Sequence, residues 1–203
     1  MEKLPLPKRL AFMSGHVKAG IELYRLNELE MAAPHLMHPV SETHESERRD
    51  LDKLGFNQSL FKEITHALEK NVKSGTISTM LVEAEKNIDA LSENAGGNPY
   101  EIIEFLMVIT LEEYELSFKD GTIIELGEYQ DAWGFLRVVE TEARQMTESD
   151  DPDIAAAGRE ILAHLEPTGT AFGDLQGKGS FTMDPSILMG AAARIEITGL
   201  GLI

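Results

Sequence analysis

Four of the six histidines, His16, His35, His38 and His44, fall within the first 44 residues of a 203-residue chain, where an even spread would place about one. Met31, His35 and His38 are separated by four and then three positions, which stacks them along one face if the segment is helical. A thioether with two imidazoles would suit copper, whereas two imidazoles with the nearby carboxylates Glu42 and Glu45 would suit zinc or iron. His16 stands in Ser14-Gly15-His16, one turn before Gly20, and these small residues would let a second helix approach closely enough for His16 to join the others across a hairpin. The competing assignment is local. In it Met31 and Met37 are core residues, His35 packs on the first helix, and His38 and His44 satisfy backbone groups around a bend at Pro39.

A second constellation runs Glu112-Glu113-Tyr114-Glu115, Lys119-Asp120-Gly121, then Glu128-Tyr129-Gln130-Asp131. If the flanking helices fold back on each other, Glu113 and Glu128 lie at similar height and Asp131 shares a face with Glu128. Converging carboxylates beside a phenol form a hard oxygen site for iron(III), calcium or manganese. The alternative is that Glu125 and Glu128 favour the positive end of a helix while the tyrosine hydroxyls are tied to the backbone.

Composition narrows the remaining chemistry. With no cysteine, thiolate zinc sites, iron-sulfur clusters, thiol nucleophiles and covalent haem attachment are excluded. A formal charge of -17 repels nucleic-acid phosphates and anionic lipid, so cations or basic partners are expected and nucleic acid is not. No stretch approaches the roughly 18 uninterrupted apolar residues of a membrane helix, so no membrane insertion is expected. There is no nucleophile elbow, Gly-rich phosphate loop or HExxH pair, and the expectation is that the chain is not an enzyme.

The elements that would position these residues read as helices. Leu10, Met13, Val17, Ile21 and Tyr24 predict a helix from Pro7 to about Leu26, and a shorter one from Glu28 to His38 is bounded by Pro39 and bent at Pro34. Further helices open near Phe56 and Thr76, and Gly96-Gly97-Asn98-Pro99 is the clearest break. Pro99 to Lys119 is the most apolar stretch and is stopped by Asp120-Gly121; helices from Leu126 to Met146 and from Ser149-Asp150-Asp151-Pro152 to Leu165 follow. The expected fold is all-α, a bundle of about six to eight helices joined by short loops. Residues 1–166 would form the bundle, with 167–203 supplying a Gly-rich loop and a C-terminal amphipathic segment on the same domain.

Glu113-Tyr114, Asp120-Gly121 and Glu128-Tyr129 resemble the helical periplasmic region beside bacterial iron permeases of the Ftr1 type. Ser14-Gly15-His16 and Pro34-His35-Leu36-Met37-His38-Pro39 resemble secreted helical proteins of proteobacteria, loosely of the imelysin/EfeO-like group. These matches cover about 50 residues, and the GxHxxE arrangement that marks imelysins is not reproduced, since Gly15 directly precedes His16 and position 19 is Ala19. The resemblance implies a periplasmic metal-binding or metal-delivery accessory in iron or copper uptake, serving a membrane permease or another periplasmic protein. The opening Met1-Glu2-Lys3-Leu4-Pro5 has no secretory signal, which reads as cytoplasmic if Met1 is native and is silent if the chain is a mature one. The expected ligands are His16, His35, His38, Glu42, His44, Glu113, Glu128 and Asp131, for iron, copper or zinc. A helical interaction module that holds no metal is the alternative.

Overall fold

The computed structural model of the chain describes residues 4–41, 50–178 and 183–202. Among these residues it is all-α apart from one two-stranded hairpin. The chain divides into two compact units, Met1–Gly96 and Gly97–Ile203, at the Gly96-Gly97 break.

In the first unit, α1 (Leu6–Arg25), α2 (Leu29–Ser41), α3 (Gln58–Glu69) and α4 (Gly75–Ala95) pack together: among the described residues α1 lies on α2 and α4, and α3 packs on the same pair. The sequence supplies the ends of these helices. Asn27, with φ of 67°, closes α1: the Glu28 N–H donates to Leu23 O, and the Asn27 N–H to Tyr24 O, satisfying carbonyls that the helix leaves open. Asn71, with φ of 59°, closes α3 in the same way through Val72 and Ala67. Side chains of Asn57 and Ser74 accept from the Leu60 and Ile77 amides and start α3 and α4. Tyr24 fastens α1 to the start of α4 through a hydroxyl that donates to Ser74 O at 3.1 Å.

Helix α2 departs from expectation, because it runs unbroken through Pro34 and Pro39 to Ser41 instead of ending at Pro39. A proline inside a helix removes a backbone hydrogen bond and costs about 3 kcal/mol. Burial offsets this: Leu29, Leu36 and Val40 are each at most 5% exposed, and each such side chain contributes roughly 1.5–3 kcal/mol. Close approach of α1 makes that burial possible. A Cβ at Gly20 would sit 2.6 Å from Leu36 Cγ and 3.2 Å from Ala32 O, so α2 lies against the bare backbone of α1 there.

The second unit opens with α5 (Pro99–Leu116), whose Asn98 cap accepts from the Tyr100 amide. The expected helix to Lys119 stops three residues early. Phe118–Lys119 (β1) pairs antiparallel with Thr122–Ile123 (β2), and Asp120 and Gly121 form the two-residue turn with φ of 52° and 76°. Helix α6 (Leu126–Thr147) then packs on α5 and on α7 (Pro152–Leu165), whose Asp151 cap accepts from the Asp153 and Ile154 amides. A 3₁₀ turn, Glu166–Ala171, and α8 (Pro185–Leu200) complete the unit, with α8 against α5, α7 and the turn. Its core includes Ile103, Leu106, Tyr114, Tyr129, Phe135, Val139, Ile161 and Leu188. Among the described residues no helix is long and apolar enough to cross a membrane.

Candidate metal centre

The α1–α2 hairpin brings three of the predicted ligands together. His16 on α1 and His35 on α2 are 3% and 2% exposed, and His38, one turn beyond His35, is half-buried. The rings of His16 and His38 meet edge to face with centroids 4.5 Å apart, and those of His35 and His38 are 5.6 Å apart. The rings of Phe12, one turn before His16, and His16 also meet edge to face, with centroids 4.6 Å apart. One nitrogen from each of the three imidazoles lies within 4.8 Å of the others.

The Nδ1 atoms of His16 and His38 approach to 3.1 Å. Two neutral imidazoles facing in this way share one proton, one ring donating and the other accepting. The same separation suits a shared ion. Zn–N bonds of about 2.0–2.1 Å at a tetrahedral angle hold ligand nitrogens about 3.3 Å apart. A set of imidazole nitrogens without thiolate or an excess of oxygen is one that zinc, copper(II), nickel(II) and iron(II) accept and calcium or magnesium do not.

Glu42 and His44, with Glu45, lie outside the described residues. Met31 is half-buried one turn before His35. Glu113 on α5 and Glu128 and Asp131 on α6 belong to the second unit, where Asp131 is 3% exposed and the two glutamates are half-buried. Among the described residues neither Glu113 nor Glu128 joins a convergent group of three metal-ligating side chains. The phenols beside them are engaged by backbone. Tyr114 donates to Ala171 O, while Tyr129 donates to Asp174 O at 3.3 Å and accepts from the Gly173 amide at 2.8 Å. Burial pushes the Tyr114 hydroxyl up to about 12, and burial also raises that of Tyr129, so both phenols stay protonated at neutral pH and make poor ligands for a hard cation.

One polar feature of the second unit was not singled out in the sequence. An open groove of about 520 Å³ on α6, α7 and the 3₁₀ turn is lined by Arg137, Glu140, Arg144 and Leu162 among others. Arg137 is held by Glu140 Oε1 at 3.1 Å and lies over the Trp133 ring at 5.2 Å. Burial pulls its guanidinium below the ordinary arginine range. The legible signal was the helical spacing of Trp133, Arg137 and Glu140, four and three positions apart.

Comparison of the chain with models of known protein families, with curated proteins and with solved structures finds no match.

Proposed function

We propose that this protein binds a divalent transition-metal ion through His16, His35 and His38 and acts as a metal-handling accessory. The observation that carries the reading is the 3.1 Å approach of His16 Nδ1 to His38 Nδ1, with the His35 ring alongside. Three imidazoles drawn from two helices into one largely buried cluster form a donor set that zinc, copper(II) and iron(II) favour. A formal charge of -17 adds a field that concentrates cations around the chain. A role in bacterial iron or copper uptake outside the cytoplasm, with a permease or another periplasmic protein as partner, is supported by the resemblance of the Pro34–Pro39 and Glu113–Glu128 segments to proteins of that setting.

Calorimetric titration of chelator-treated protein with zinc, copper(II) and iron(II) tests the reading. One ion per chain is expected for at least one of the three, and none for the His16→Ala/His35→Ala/His38→Ala variant. Failure of the wild-type chain to take up any of them would overturn the metal reading in favour of a helical interaction module.

A further inference from the structure

Resting on that metal-binding reading, we infer that metal occupancy and the closure of α2 are a single equilibrium, the ion entering and leaving by local opening of the turn between Pro34 and Pro39. His16 and His35 are almost fully enclosed and the half-buried ligand, His38, stands in the turn between the two prolines, so an ion reaches the buried nitrogens past that turn of α2. Both α2 ligands fall in the four residues bounded by the two prolines. Each proline withdraws an N–H from the helical ladder, which leaves this turn dependent on its packing for order. By contrast, α1 carries no proline beyond its first turn and is fastened to α4 through Tyr24, so α2 is the member of the pair that opens. The third ligand, His16, lies on α1, and an ion shared by His16, His35 and His38 ties the weak turn to the firm helix. Its binding free energy therefore adds to the closing of α2.

Amide exchange of the full chain, followed by mass spectrometry with and without zinc, reads this coupling. At free zinc near 100 times its Kd, amides of residues 29–41 are expected to exchange about 100-fold more slowly, since a ligand specific to the closed state shifts the balance in that proportion. Peptides from residues 152–178 and 185–200 serve as the control and should not change. His16→Ala should remove the zinc effect, so that the exchange of α2 in this variant is the same with and without zinc. In Pro34→Ala/Pro39→Ala, α2 should already be protected without metal, most of the zinc-dependent slowing should disappear, and zinc should dissociate more slowly. Calorimetric zinc binding with no change in α2 exchange would overturn the coupling and leave the metal reading standing. Absence of zinc, copper(II) and iron(II) binding altogether would overturn both.

Discussion

The Nδ1 atoms of His16 on α1 and His38 on α2 face each other at 3.1 Å across the first helical hairpin, 22 positions apart in sequence. Each ring presents the nitrogen nearer its own backbone. The bond these atoms make therefore depends on how closely the two helices approach, and the helix–helix contact and the ligand set are one structural problem.

Removing His38 leaves His16 without the nitrogen it faces, and the cluster drops from three imidazoles to two. Loss of an outer partner of a metal ligand already costs about 10- to 100-fold in affinity, and loss of a ligand itself costs more. Zinc affinity of His38→Ala is expected to fall by at least about 100-fold in a competition titration, with the helical circular dichroism of the metal-free chain retained. An affinity within a few-fold of wild type would mean that His38 is not a ligand.

The approach of the helices is set at Gly20. A Cβ there would press on Leu36 Cγ at 2.6 Å and on Ala32 O at 3.2 Å, and only the first of these is a side chain able to yield. Gly20→Val is expected to destabilise the first unit by about 2 kcal/mol in urea unfolding, the usual cost of overpacking a tight contact. Leu36→Ala in the same chain should restore part of that loss, because the two residues compete for one space. Strictly additive effects in this double-mutant cycle would mean that α1 and α2 do not meet there as described.

Helix content and most helix starts were legible because they rest on local chemistry: Asn98 and Asp151, read as helix starts, accept from amides two or three residues on, and Asn57 and Ser74 do the same at the starts expected near Phe56 and Thr76. The path of α2 was less so. Propensity places a break at Pro39, and what overrides it is burial of Leu36 and Val40 against partners far away in sequence. The histidine cluster was visible as clustering and spacing, and its closure through Gly20 was partly visible in the small residues of α1. Tyr114 and Tyr129 were legible only as two alternatives, because the carbonyls that engage them, Ala171 and Asp174, lie more than 40 positions away.

The Asp120-Gly121 dipeptide was expected to stop a helix and instead turns a hairpin, with both residues in the left-handed region. An alanine there meets no neighbouring atom, so its cost is conformational alone. Gly121→Ala is expected to lower stability by roughly 1–2 kcal/mol, the penalty of a Cβ in that region, read as a lower melting temperature. Asp120→Gly should be tolerated, since it relieves the same restriction. Equal tolerance of both substitutions would argue against the two-residue turn.

Alkaline unfolding should report on Tyr114, which is fully buried, donates to Ala171 O and has its hydroxyl pushed by burial from 10.0 to about 12. In the unfolded chain the phenol ionises from about pH 10, while in the folded protein it holds its proton until about pH 12. Between those values the native state binds more protons than the unfolded one, so stability is complete below pH 10 and falls as pH rises through the window, by roughly 2–3 kcal/mol for this one group. Tyr129 and Tyr100, also raised by burial, act in the same direction. Tyr114→Phe should lose about 1 kcal/mol at neutral pH with its hydrogen bond, yet show a shallower decline above pH 10 because one titrating group is gone. Denaturation curves at intervals from pH 8 to 12 separate the two effects, and parallel profiles for wild type and variant would mean that Tyr114 ionises no later in the folded chain than in the unfolded one.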